Sequence, residues 1–503
     1  MASLLKMKLK KSSYYLTRFV LLRLLGFVYF FAFLSLATQV IPLIGHDGLY
    51  PADLFLQRVD QGTTLGSFWN IPTLFWFHIS DTAILVLSGL GVLLSLILLL
   101  GFANVPLLVV LWFLYMSFTN IGQLFYGYGW EIQLLETGFL ALFFVPLWEW
   151  KPFPKLAPPA PIIWLFRWLA FRIFLGAGLI KIRGDSCWRD LTCMNFHYAT
   201  QPIPNPISRW MHFFPQWWHK LEVLWNHFVE LVVPWFVWIP GLTSAIAGVL
   251  MISFQLFLIF SGNLSFLNWL TIIPAIACIE DRFWNKIIPK KLVRKAEQAA
   301  KHSTTNKIHT VASWIMVGVV ILLSIPVVQN LAGPGQAMNR GFNQWNFVNT
   351  YGAFGSVGKV RPELIIEGTR DRIITERTEW KEYEIPFKPG ALERGLPVVA
   401  PYQPRIAWQI WFAAMQSPEQ NPWLIHLVWK LLHNDPLALD LIDHNPFPRE
   451  PAQFIRIQLY RYEFIEPWKG ESVWKRELLG TWLRPLSKDT PALQQFIALN
   501  GWK

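Results

Sequence analysis

The sequence predicts a polytopic α-helical membrane domain followed by a mostly β soluble domain, sandwich- or jelly-roll-like, with helical insertions. Three observations carry this. Long apolar segments recur through the first two thirds of the 503 residues, and charged residues make up only 15% of the chain, against roughly 25% in soluble proteins. The Lys and Arg residues gather in loops between those segments, as they do on the cytoplasmic side of membrane proteins. Beyond Asn330 the pattern changes to alternation of apolar and polar residues, the period of a half-buried strand.

Residues 1–18 form a basic lead-in carrying Lys6, Lys8, Lys10, Lys11 and Arg18 with no acid. Spans are expected at 19–41, 82–100, 106–121, 131–148, 162–181, 222–239, 243–260, 266–278 and 311–329, about nine by the requirement for roughly 20 apolar residues per crossing. Asn104-Val105-Pro106 marks a tight turn before the third. WKPFPKLAPPAP is a stiff connector, because proline cannot continue a helix. Residues 281–307 are a basic loop. With the N-terminus inside, Lys151, Lys155 and this basic loop fall in the cytoplasm, and everything after residue 330 falls outside it. The membrane domain is thus expected over 19–330 and the soluble domain over 331–503. In the latter, RPELIIEGTRD, EWKEYEIPF and QFIRIQLYRYEFI read as strands. RIAWQIWFAAM and NPWLIHLVWKLLHND read as helices, the second capped by Asn421 with Pro422 at its first position.

One stretch combines membrane helix and candidate chemistry. Residues 171–206 read FRIFLGAGLIKIRGDSCWRDLTCMNFHYATQPIPNP. Lys181 ends the apolar helix. Its plain role is an anchor that snorkels to the interface; the chemical alternative is a desolvated general base. Cys187 and Cys193 have three readings: a disulfide in the oxidising compartment, two free thiols, or a redox pair. Were both on one helix they would point about 240° apart and not bridge. Cys278 sits in an apolar helix and is expected to remain a buried thiol. His197 lies near the cysteines, but the spacing is not that of a zinc site, and no metal is expected. Glu131 and Glu136 within a span are expected to pair with Lys181 or Arg172, since intramembrane acids face the protein interior. Asn263 in SGNLS is read as a polar turn. His219, Glu222, His227 and Glu230 recur at helical spacing as a polar stripe. No nucleotide-binding glycine motif, P-loop or serine-hydrolase order is present. The net charge of +12 lies in loops, which argues against nucleic acid.

GAGLIKIRGDSCWRDLTCMNFHYATQPIPNP closely resembles the signature of lipase maturation factors, and the likeness continues through FQLFLIFSGNLSFLNWLTIIPAIACIED. The resemblance implies a multi-pass protein, of the endoplasmic reticulum membrane in a eukaryote or the inner membrane in a bacterium, that helps secreted clients such as lipases fold and leave. It implies no cofactor; the partners are membrane lipids and the secreted client. Ala199 and Ala407 depart from the pattern, in which acids are expected. Trp188, His197, Tyr198, Trp210, Trp217 and Trp218 are the candidates for client contact, with Glu136, Asp185, Cys187, Cys193 and Asn263 as structural residues. A second resemblance is of layout alone. The apolar-AG-Lys-Asp-Trp order of GAGLIKIRGDSCW is similar to that of the vitamin K-dependent carboxylase family. It implies a membrane enzyme with Lys181 as base, assisted by Glu131 or His197.

Overall fold

The computed structural model describes residues 13–502. The lysines at positions 6, 8, 10 and 11 lie outside them. Five helices among the described residues are long and apolar enough to cross a membrane: Tyr15–Ala37, Asp81–Leu100, Ala160–Arg183, Leu242–Ser261 and Lys307–Ala332. Two shorter apolar helices, Val105–Ile121 and Leu267–Ile276, pack among them. Local chemistry sets their starts. The Ser80 side chain accepts from the Ala83 amide, Asn104 from Leu107 and Asn306 from Ile308, satisfying amides that a helix leaves unpaired. The proline-rich connector is non-helical through Pro159, and its last two residues open the next helix, with Pro161 in its first turn.

The expected span at 222–239 is not one α-helix. Gln216–His227 gives way to a π-helical turn at Phe228–Val232, then to a 3-10 turn at Val233–Trp238. Pro234 lacks the donor that a regular continuation requires, and wide turns of this kind place side chains off the normal helical spacing. The fourth expected span closes early, at Gly129–Leu142.

The helical region has two distinct ends. At one, the Asp281 carboxylate accepts from Ser13 and from the amides of Tyr15, Leu16 and Thr17. Thr304 there bonds the Lys155 carbonyl, Val105 the Pro146 carbonyl and Ala103 the Trp150 carbonyl. The other end meets the C-terminal region. Thr38 bonds Tyr402, Trp411 donates to the Thr200 carbonyl, and Gln336 donates to the Gly176 carbonyl.

The C-terminal region holds one four-stranded antiparallel sheet, ordered Lys381–Tyr383, Arg361–Thr369, Phe454–Phe464, Trp474–Leu486. A two-residue ribbon pairs Arg340–Gly341 with Asn349–Thr350. Among the described residues this is a single sheet, not the two facing sheets of the expected sandwich or jelly roll. Helices occupy the place of a second sheet, and Arg405–Ala413 contacts the central strand. The last strand carries no comparable sequence signal: WKRELLGTWLRPL lacks clean alternation, and of its residues Trp474 alone is buried. Asn421 does precede the Pro422–Leu431 helix, but its side chain makes no capping bond; it bonds Gln416 and the Ser417 carbonyl instead.

Candidate functional site

The GAG segment of the Ala160–Arg183 helix explains how two neighbours come so near. A Cβ on Gly176 would lie 2.4 Å from the Tyr351 carbonyl oxygen, and one on Gly178 would lie 2.6 Å from the Leu231 side chain. The glycines therefore admit the 350s loop on one side and the π-helical turn on the other. That turn swings Glu230 onto Lys181. The Lys181 Nζ donates to Glu230 Oε1 at 2.6 Å, to Oε2 at 2.7 Å and to Asn226 Oδ1 at 2.9 Å. Asn226 also donates to Glu230 at 2.9 Å, and the Nζ stands 5.0 Å above the Trp188 ring.

Lys181 is 5% exposed. It does not snorkel, and its partner is neither Glu131 nor Glu136. The sequence order hid this, because the carboxylate that reaches it comes from the irregular turn. Glu136 instead pairs with Arg172, as one expected alternative had it, and also accepts from the Asn349 amide at 2.9 Å and the Tyr351 hydroxyl at 2.7 Å. Glu131 accepts from Arg405 at 2.9 Å and from Tyr115. Glu131 thus binds the C-terminal region to the helices, away from Lys181.

Around Lys181 lies a cavity of about 780 Å³ between the ends of the helices and the C-terminal region. Its walls include Phe174 and Ala177 from the central helix, Trp188 and His197 from the signature loop, Glu222 and Asn226, Phe254 and Gln255, residues 351–358, and Trp408 with Trp411. Half of the predicted polar stripe thus faces the cavity. Glu222 accepts from Tyr198 at 2.7 Å, Trp218 at 2.8 Å and His219 at 2.9 Å. His227 instead bonds the Trp188 carbonyl. The His197 ring sits 5.2 Å from the Phe354 ring. Burial, then the Lys181 charge, lower its pKa from the ordinary 6.5 to about 4, so the ring is neutral at physiological pH.

Cys187 and Cys193 form a disulfide, with Cα atoms 4.8 Å apart. The short helix Ser186–Arg189 holds only the first cysteine. Leu191, at φ 58°, then turns the chain back so that the Thr192 amide reaches the Cys187 carbonyl. The single-helix geometry that would have kept them apart does not occur. Asp185 accepts from the Cys187 amide at the start of this helix. Cys278 is free and buried. Asn263 is more than a turn residue. Its side chain donates to the Ile203 and Pro397 carbonyls and accepts from the Val399 and Ala400 amides.

Of the aromatics expected to be exposed, Trp188 is 2% exposed and Tyr198 is fully buried. The disulfide loop folds over both and turns them inward. Trp210 and Trp217 are 51% and 61% exposed, while Trp218 is half-buried against Glu222. Arg361 escaped notice in the sequence. Buried in its strand, it donates to the carbonyls of Ala199, Gln201 and Pro202 and pairs with Glu363, so the β sheet holds the signature loop by its backbone. Among the described residues, no group of three His, Cys, Asp or Glu side chains is placed to hold a metal ion.

Comparison with known families decides what this arrangement belongs to. The family described as the lipase maturation factor transmembrane domain matches residues 16–286, and the lipase maturation factor C-terminal domain matches residues 347–484. The chain belongs to the lipase maturation factor family. It is 44% identical to lipase maturation factor 1 of Bos taurus, over 96% of this chain and 91% of that protein. It is 43% identical to lipase maturation factor 1 of Homo sapiens, over 98% and 91%. Lipase maturation factor 2 of Homo sapiens is 28% identical over 94% and 83%. No solved structure matches. The carboxylase-like layout gains no support from these lipase maturation factor relatives, and the Lys181 ammonium it would need as a base is held by Glu230 and Asn226.

Proposed function

We propose that the chain is a membrane-embedded maturation factor for lipases, which it meets at the end of the helical region joined to the C-terminal domain. The observation that carries the reading is the near full-length likeness to lipase maturation factors 1. The site supports a factor that works by contact. The acids and the lysine singled out in the sequence are engaged with protein partners, while Trp210, Trp217 and Trp468 stand exposed on the client side. Trp210 and Trp468 approach to 6.1 Å. Amphipathic aromatics of this kind suit the apolar patches of a partly folded protein.

In this reading the chain crosses the membrane nine times, with the N-terminus in the cytoplasm. Support comes from the two ends described above. Residues 13, 103, 155, 281 and 304 share one end, and that end carries the basic 281–307 loop. Residues 38, 200 and 263 lie with the C-terminal domain at the other. The short helices then cross with help from irregular turns buried in protein, where such backbone is tolerated. The client side is the lumen of the endoplasmic reticulum or, in a bacterium, the periplasm.

The test is site-directed photocrosslinking in membranes co-expressing a secreted lipase. Crosslinkers at Trp210 and Trp217 should capture the lipase during its synthesis. Capture only from positions at the cytoplasmic end would overturn the reading.

A further inference from the structure

We propose that the cavity beneath the signature loop binds one uncharged amphipathic lipid of the acylglycerol class, its hydroxyl or ester head at His197 and its chain between the Gln216–His227 and Leu242–Ser261 helices. The inference is independent of the client-contact reading and goes beyond it.

Three observations lead to this ligand. The first is His197. It lines the cavity and is 8% exposed, and among the described residues no side-chain hydrogen bond is made by its ring. Its nitrogens are not sealed in protein; they reach the cavity, where a ligand can bond them. A neutral ring also offers one donor and one acceptor, the complement of a hydroxyl or an ester carbonyl. The second is charge. Among the described residues Lys181 is the one cation on the cavity wall, and it is paired with Glu230 at 2.6 Å. Glu222 is a second carboxylate on the same wall. An anionic head, as in a fatty acid, would find no free counter-ion and two carboxylates nearby. The third is access. Leu221 and Trp225 line the cavity yet are 50% and 38% exposed, so it opens beside the apolar face of the Gln216–His227 helix, next to the apolar Leu242–Ser261 helix, where a lipid chain can enter sideways. Its volume of about 780 Å³ falls in the roughly 300–1,000 Å³ range of small-molecule sites.

The test uses the full chain purified in a sterol-based detergent and titrated with radiolabelled 2-monooleoylglycerol, with oleate and dioleoylphosphatidylcholine as competitors. Saturable binding of one molecule per chain is expected, with both competitors at least about tenfold weaker than unlabelled monooleoylglycerol. His197→Phe should weaken binding by about tenfold, the value of a lost hydrogen bond to a buried partner, while His197→Gln should keep most of it. Both variants should melt as the parent does. The proposal is overturned if binding is not saturable, if oleate or the phospholipid competes equally, or if a folded His197→Phe variant binds like the parent. Should that variant not fold, the selectivity of the unaltered chain among the three lipids decides alone.

Discussion

Replacing Lys181 by Met isolates what the buried pair contributes. The change leaves the Glu230 carboxylate, 4% exposed, with Asn226 as its remaining donor. Breaking a buried pair from one side typically costs about 3–5 kcal/mol, because the surviving charge stays desolvated. Glu230→Met should cost a similar amount by stranding the ammonium. The double variant removes both charges. Its two thioether side chains pack against Trp188 and the apolar wall, and replacing a whole buried pair by apolar groups is often near neutral. The two single losses should therefore not add, with a coupling of about 3 kcal/mol or more. Lys181→Arg should be tolerated, because the guanidinium can bond both Glu230 oxygens and the adjoining cavity gives it room. The assay is denaturation of the purified chain in detergent, followed by tryptophan fluorescence across all four variants. Single losses that sum in the double variant to within about 0.5 kcal/mol would refute the pairing.

Other consequences of the structure can be checked separately. Non-reducing mass spectrometry should find Cys187 joined to Cys193 and Cys278 free; changing both bonded cysteines to Ser should cost about 2 kcal/mol for so short a loop, read as a lower melting midpoint. Asn263→Ala removes the acceptor of the half-buried Val399 and Ala400 amides, at about 1 kcal/mol each, and should expose the 390s segment to limited proteolysis before the rest of the chain. Because burial lowers the His197 pKa to about 4, the unfolded chain binds the proton more readily. Stability is then full above pH 6.5 and falls as pH drops toward 4, by at most on the order of 3 kcal/mol. His197→Phe should flatten that decline in a melting series from pH 7.5 to 4. Cysteines placed at Lys291 and Lys469 should label from opposite sides of the membrane.

Regular elements were legible where one physical signal dominates. Asn104-Val105-Pro106 marks the start of one apolar helix, and the alternation in RPELIIEGT and FIRIQLYRYEF fixes two central strands, whereas the Asn306 cap starts the last apolar helix at Lys307, four residues before the expected 311. The Glu136–Arg172 pair was also within reach, because intramembrane charges must find partners. What remained hidden depends on irregular backbone or on distance along the chain. The π-helical turn that delivers Glu230 to Lys181 breaks the period on which helical reasoning relies. Arg405 reaches Glu131 across 274 positions, and nothing local marks Arg361 as the clamp on the signature loop. Trp188 shows the opposite failure. An aromatic in a polar loop reads as exposed, yet the disulfide turn folds it under Lys181.

The most direct test of a lipase maturation role is secretion. Cells lacking their own lipase maturation factor should be given this chain together with a secreted lipase, and active lipase in the medium measured against an empty control. The account predicts that the chain restores secreted activity, that Lys181→Arg does so as well, and that Lys181→Met restores less in proportion to its lower abundance. Lipase activity no higher than the control, with the chain present in the membrane in folded form, would contradict it.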